Sequence, residues 1–369
     1  MPREAPLRPL AVFTLGVLGA LGAAGCGSGT EGEDPGFSVS PGDAGVEAAK
    51  DAARDAKPAD AAHDAPLDTE AGPTALGPPY PIVLAHGFFG WEQFAGTDFL
   101  TYFWGVKDRL ASRGETEVFT PGVDPFNDSD TRGHQLEAAV ADVLAKTGRG
   151  KVVLIGHSQG CLDARVVAHL HPDWVAAMVS IAGPHGGSPV ADTFVGPASS
   201  AVLGPILDGF VQLVGPPIWS TVDAQTSLKR SMQQLSSDGM TAFNAKYPPT
   251  ASVPTWSIAG RSLLSNGGSV CKPQLSVPFV SKWDRERDPI NAMFLASGVL
   301  IQGSPFSPEV NDGLVRAVDA KWGTFLGCLP TDHVDEIGQI FGQSPGLGNG
   351  FDHLEFYGEL VSWLRAQGY

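Results

Sequence analysis

Three kinds of residue in this chain could do chemistry together: a serine between glycines, a set of histidines, and a late aspartate in a turn. Ser158 stands in Gly156-His157-Ser158-Gln159-Gly160. A serine hydroxyl is too weakly acidic to attack a carbonyl unaided, so it needs a base, and the base needs an orienting carboxylate. Where a Gly-X-Ser-X-Gly turn joins a strand to a helix, the chain order is serine, then acid, then histidine. Of nine histidines, His63, His86, His134 and His157 come too early, and His169, His171 and His185 follow the serine too closely. His333 and His353 remain, in the similar settings Asp332-His333-Val334-Asp335-Glu336 and Asp352-His353-Leu354-Glu355. Asn311-Asp312-Gly313 is a turn signal upstream of His333 and offers a candidate acid; Asp284, Asp288 and Asp319 rival it by chain order only. For His353 the plainer reading is a surface histidine opening a terminal helix.

With 46 glycines, the pentapeptide alone arises easily by chance, and context must carry it. Pro81-Ile82-Val83-Leu84-Ala85 and Lys151-Val152-Val153-Leu154-Ile155 read as fully buried strands. Between them Leu136 to Lys146 repeats apolar residues at helical spacing, with Val140, Val143 and Leu144 on one face. Leu162, Val166 and Leu170 form a second helical stripe, stopped at Pro172, and Val175 to Ile181 reads as a third strand. Strand, helix, strand, helix, strand predicts an α/β fold: a mostly parallel sheet with helices on both faces. Ser158 then lies where a strand ends and a helix begins, with Gly156 and Gly160 where backbones crowd. The competing reading, a serine capping an ordinary helix, lacks these companions.

The N-terminal part has another character. Arg3 and Arg8 precede the apolar run Leu10 to Leu21, then small residues and Cys26, the layout of a secretory signal over residues 1–25. Ala23-Ala24-Gly25-Cys26 resembles a lipoprotein processing site, with Ala23 departing from the usual leucine; it makes Cys26 a candidate lipid anchor. Residues 26–79 are Ala, Asp and Pro with little aliphatic bulk, and carry half of the chain's net charge of −16. Such a stretch cannot bury enough apolar surface to order itself and reads as a tether. Residues 80–369 form one catalytic domain. Neither part has a basic patch, which disfavours nucleic-acid binding. An exported protein, secreted or held at the outer membrane, is the expectation.

His86-Gly87-Phe88-Phe89-Gly90, Gly156-His157-Ser158-Gln159-Gly160, Pro184-His185-Gly186-Gly187-Ser188, Asn311-Asp312-Gly313-Leu314-Val315 and His333-Val334-Asp335-Glu336-Ile337 occur in this order over about 80 to 345. Together they resemble the true lipases of bacterial family I, of the Pseudomonas and Burkholderia type, within the α/β-hydrolase superfamily. The resemblance implies a Ser158, Asp312, His333 triad, and an oxyanion hole from the backbone N–H groups of Phe88 and Gln159 that asks nothing of either side chain. It implies hydrolysis of carboxylic esters, long-chain acylglycerols foremost. A carboxylesterase, phospholipase or polyester depolymerase would use the same machinery, and chain-length profiling separates them. A surface lipoprotein that kept the fold without catalysis would escape labelling by a serine-directed fluorophosphonate.

The resemblance further implies a structural Ca²⁺ held by Asp288, Asp335, the side-chain carbonyl of Gln339 and the backbone carbonyl of Gln343. Hard oxygen ligands suit that ion, and Asp335 and Gln339 are one helical turn apart by spacing. If Cys26 is acylated and Cys161 is a buried thiol beside the nucleophile, Cys271 and Cys328 are left to form a disulfide. Residues 190–222, apolar and broken by Gly and Pro, would be a lid whose opening contacts lipid. Members of this family often need a membrane-bound foldase.

Overall fold

A computed structural model of the chain describes residues 75–88, 102–196, 224–339, 342, 345–346 and 348–369. The chain divides into two units, Met1–Asp68 and Thr69–Tyr369, of which the first lies outside the described residues. The expected signal, Cys26, most of the tether and most of the lid therefore fall outside them too.

Among the described residues, six parallel strands form one sheet in the order β2-β1-β3-β4-β5-β6. They are β1 (Ile82–Ala85), β2 (Val118–Phe119), β3 (Val152–His157), β4 (Val175–Ile181), β5 (Thr255–Gly260) and β6 (Thr324–Leu329). The helices are α1 (Val106–Ser112), α2 (Ser129–Thr147), α3 (Gly160–Leu170), α4 (Pro189–Val195), α5 (Ala224–Leu235), α6 (Ser237–Lys246), α7 (Pro278–Ser281), α8 (Leu295–Gln302) and α9 (His353–Ala366).

Strand alternation sorts the apolar residues onto two faces. Ile82, Leu84, Val153 and Ile155 join α1 and α9 in one core, through Val106, Leu110, Phe356 and Leu360. Val83, Val152 and Leu154 join α2 and α3 in the other, through Leu136, Val140, Val143, Ala164 and Val167. Each central strand is buried on both sides, as its unbroken aliphatic sequence requires.

Helix α2 is longer than the Leu136–Lys146 expected. It starts at Ser129, where the Asp128 carboxylate accepts from Thr131 N–H, and ends at Gly148 in the left-handed region. Gly133 reads locally as a breaker, yet a Cβ there would lie 2.5 Å from Val166, so it is where α2 and α3 touch. Strands β2, β5 and β6 were not expected. β2 has two residues, and Thr255-Trp256-Ser257-Ile258-Ala259-Gly260 mixes polar and apolar types, so neither gives a buried-strand pattern.

Candidate active site

Ser158 follows β3 directly and adopts φ 56°, a left-handed conformation costly for a non-glycine residue. Helix α3 begins two residues later. A Cβ on Gly160 would come within 2.2 Å of the Ala85 carbonyl oxygen, and one on Gly156 within 2.7 Å of the Cys161 backbone. Only glycine fits at either position, and the turn between them lifts the serine off the sheet edge. Gln159, not Ser158, occupies the helix N-cap position, so the serine is free of the capping role.

The Ser158 Oγ lies 2.8 Å from His333 Nε2, and His333 Nδ1 lies 2.8 Å from Asp312 Oδ2. Asp312 also accepts from Leu314 N–H and Val315 N–H at its other oxygen, while its backbone carbonyl accepts from His333 N–H. A tight turn thus orients the carboxylate, the carboxylate orients the imidazole, and the imidazole faces the hydroxyl. All three side chains are buried. His353 is elsewhere and is not a surface residue: it is buried, with Nε2 2.8 Å from the Trp104 carbonyl oxygen, packed over Gly338.

The loop after β1 runs beside the serine, since a Cβ on Gly87 would lie 2.6 Å from Ser158 Cβ. Phe88 comes next, its ring edge-on to Phe126 at 5.9 Å. Burial and the neighbouring Arg132 charge push the His86 imidazole down to about 3, so it stays neutral. It bonds the Gly87 carbonyl through Nδ1 and accepts from Val123 N–H at Nε2. Arg132, wholly buried, donates to Asp163 at 2.9 Å and to the carbonyls of Asp124 and His86 at 2.7 Å each. Sequence reasoning missed this clamp; its trace is a charged residue on the inner side of each helical stripe.

The expected oxyanion hole asks nothing of the Gln159 side chain, yet that side chain is anchored. It is fully buried, and its Nε2 donates to the Asn127 carbonyl at 2.8 Å and to Ser231 Oγ on α5 at 3.3 Å. A second hydrogen-bonded chain flanks His333: Tyr102 Oη is 2.7 Å from His157 Nδ1, and His157 Nε2 is 2.9 Å from Glu336 Oε2. The His157 and His333 rings are 4.7 Å apart. Burial, then the His333 charge, holds His157 well below its usual range, and burial beside Asp312 and Asp332 holds Glu336 well above its own.

Asp288 and Asp335, both expected as metal ligands, come together with a third carboxylate, Asp332, their oxygens within 4.8 Å of one another. Asp332 is committed to the backbone, accepting from Val334, Asp335 and Asn291 N–H. Asp288 accepts from Ser262 Oγ at one oxygen; the other, Oδ1, is buried and has no partner among the described residues. Burial, reinforced by the neighbouring carboxylates, pushes Asp288 up to about 7 and Asp335 up to about 9. Gln339 is not one helical turn from Asp335, because the 3-10 turn Asp335–Ile337 ends at Gly338 in the left-handed region. Its Nε2 donates to the Tyr102 carbonyl at 3.1 Å, and Gln343 lies outside the described residues. Cys271 and Cys328 are joined by a disulfide that ties a 3-10 turn to β6, and Cys161 is a buried free thiol.

A hydroxyl, an imidazole and a carboxylate hydrogen-bonded in series beside a parallel sheet define a serine hydrolase of the α/β class. The alpha/beta hydrolase fold family matches residues 80–261. A triacylglycerol lipase of Vibrio cholerae is 36% identical over 276 residues, covering 71% of this chain and 81% of the relative. One of Pseudomonas fragi is 29% identical, covering 78% of this chain and 97% of the relative. Lipase 1 from Pelosinus fermentans has the same fold, with a TM-score of 0.51 at 16% identity over 77% of this chain and 98% of that one. The chain belongs to the lipase family of α/β-hydrolases and is a serine ester hydrolase.

Proposed function

We propose that the protein is a triacylglycerol lipase that cleaves long-chain acylglycerols through an acyl-enzyme on Ser158. The observation that carries the mechanism is the unbroken hydrogen-bond series from Ser158 through His333 to Asp312; the substrate class follows the relatives named above. Ser158 Oγ attacks the ester carbonyl while His333 Nε2 takes its proton, and Asp312 stabilises the imidazolium that forms. The N–H groups of Phe88 and Gln159 donate to the oxyanion, each worth about 3 kcal/mol of transition-state stabilisation. His333 then returns the proton to the departing alkoxide, and water repeats the sequence on the acyl-enzyme.

The residues around Asp288 fit a structural calcium ion, because a buried carboxylate oxygen without a partner among the described residues lies close to two further carboxylates. Asp288 and Asp335 would hold it. Calcium there supplies positive charge that offsets their repulsion and pins the loop carrying His333. In the same reading the chain is exported and anchored through an acyl group on Cys26, which Cys26→Ser would release from the membrane fraction. A foldase is the remaining partner, and full activity of the chain expressed without one would remove it.

Rates across triacylglycerols from short to long acyl chains test the substrate. Activity that rises above the solubility limit and persists with long chains is expected. A preference for dissolved short esters, with no rise at that limit, overturns the lipase reading in favour of an esterase.

A further inference from the structure

Tyr102 was not among the expected site residues, yet three parts of the catalytic machinery meet at its hydroxyl. Its Oη lies 2.7 Å from Nδ1 of His157, the residue before the nucleophile. A Cβ on Gly87, the residue before Phe88, would lie 2.5 Å from that phenol oxygen, 2.6 Å from Ser158 Cβ and 3.0 Å from the His157 carbonyl oxygen. Gly87 is therefore wedged between the phenol and the nucleophile turn. His157 Nε2 in turn faces Glu336 on the loop that carries His333.

Gly87 decides where the Phe88 N–H points, because the Gly87 carbonyl and the Phe88 N–H share one peptide plane. A glycine at this place has wide backbone freedom and must be held from outside. His86 Nδ1 at 2.9 Å and Arg132 at 3.3 Å hold the Gly87 carbonyl. Tyr102 holds the other end: burial pushes the phenol pKa up, and a bond from the Gly87 backbone N–H works against that rise. The phenol oxygen receives this N–H, which leaves its own O–H to meet His157 Nδ1. Tyr102 is itself pinned to the His333 loop, since its carbonyl accepts from Gln339 Nε2 at 3.1 Å and Trp104 N–H donates to the Ile337 carbonyl at 3.0 Å.

We propose that Tyr102 is a positioning residue for the oxyanion hole: its hydroxyl, tied to His157, braces Gly87 so that the Phe88 N–H stays aimed at the oxyanion. A donor fixed before the charge develops costs no reorganisation at the moment of reaction. The inference rests on the oxyanion-hole reading given above and adds what holds one of its donors still.

The test compares a dissolved short-chain nitrophenyl ester with its thionoester, in which sulfur replaces the carbonyl oxygen. Sulfur is a weak hydrogen-bond acceptor, so the thionoester leans little on the hole. Tyr102→Phe removes the hydroxyl alone. It should lower kcat on the oxygen ester about ten-fold with KM within about two-fold, change the thionoester rate by less than about two-fold, and leave the acid limb of the pH profile in place. His157→Asn, whose amide can meet Tyr102 where Nδ1 stood, should keep most of the oxygen-ester rate. His157→Ala should lose it as Tyr102→Phe does, and the double variant should fall no further.

An unchanged oxygen-ester rate in Tyr102→Phe overturns the inference. So does an equal fall on the thionoester, which makes the hydroxyl a matter of packing or of the base, or a raised KM at unchanged kcat, which makes it a substrate contact. If His157→Ala does not fold, Tyr102→Phe and His157→Asn decide alone. Failure of the oxyanion-hole reading is distinct: the unsubstituted enzyme then cleaves the two esters alike.

Discussion

His333 and His353 stand in almost the same local sequence, and only packing tells them apart. Asp312 holds His333 from both its side chain and its backbone, whereas His353 Nε2 meets a carbonyl and no hydroxyl. His333→Ala should lower kcat about 10⁴-fold or more because the base is lost, and should also cost stability because it orphans the buried Asp312 carboxylate oxygen. His353→Ala should keep kcat within a few-fold while costing about 1 to 3 kcal/mol of stability from the orphaned Trp104 carbonyl. Steady-state rates and thermal melts on both variants decide it, and loss of activity only in the His353 variant would transfer the base. Chain order and the Asn-Asp-Gly turn made Asp312 and His333 legible in the sequence. Tyr102, Arg132, Asp163 and Asp332 were not, because their roles arise from residues 31 or more positions away, or from backbone groups that no side-chain pattern displays.

At the scale of elements, legibility follows burial. β1, β3 and β4 are covered on both faces and read as continuous aliphatic runs, while β5 and β6 carry Thr, Ser and Gly and do not. Helix α5 was hidden as well, and it matters to the nucleophile turn. Gln159 reaches across to the Asn127 carbonyl before α2 and to Ser231 on α5, so the residue proposed to present an oxyanion N–H is held by two neighbouring elements. Gln159→Leu keeps the volume and removes the ties. It should lower kcat roughly ten-fold with KM nearly unchanged, because the donor matters most in the transition state. An equal change in KM, or none in kcat, would show the side chain to be packing only. Cys271–Cys328 closes 57 residues that contain Asp288, α8 and Asp312. Replacing both cysteines by serine should cost about 4 kcal/mol by the chain-entropy relation, read from denaturant melts.

For the molecule as a whole, the buried carboxylates make stability a function of pH, and on the proposed reading of calcium as well. Asp288 comes from the loop before α8, and Asp332 and Asp335 from the loop after β6; Ser262, just past β5, bonds Asp288. An ion held at this point would act on three connections at once. The ordinary aspartate value is 3.8, and burial beside like charges raises Asp288 to about 7 and Asp335 to about 9 in the folded chain. A raised folded value means that stability is fully present below pH 3.8 and is lost as pH climbs through 7 and toward 9. The calcium ion proposed above would reverse the trend, since it would bind the ionised carboxylates with an affinity that grows as their protons leave. The melting temperature with a chelator should therefore fall between about pH 5 and 9, and the increment given by calcium should widen over the same range. At pH near 8 and calcium well above its dissociation constant, roughly 5 to 10 °C is the expected increment. Asp288→Asn should abolish that increment and make the chelator curve shallower, because the amide neither ionises nor repels its neighbours while Asp335 still titrates. A calcium increment that is absent at pH 8, or larger at pH 5, would show that the three carboxylates hold no ion and that the loops around His333 are fastened by the disulfide and the backbone alone.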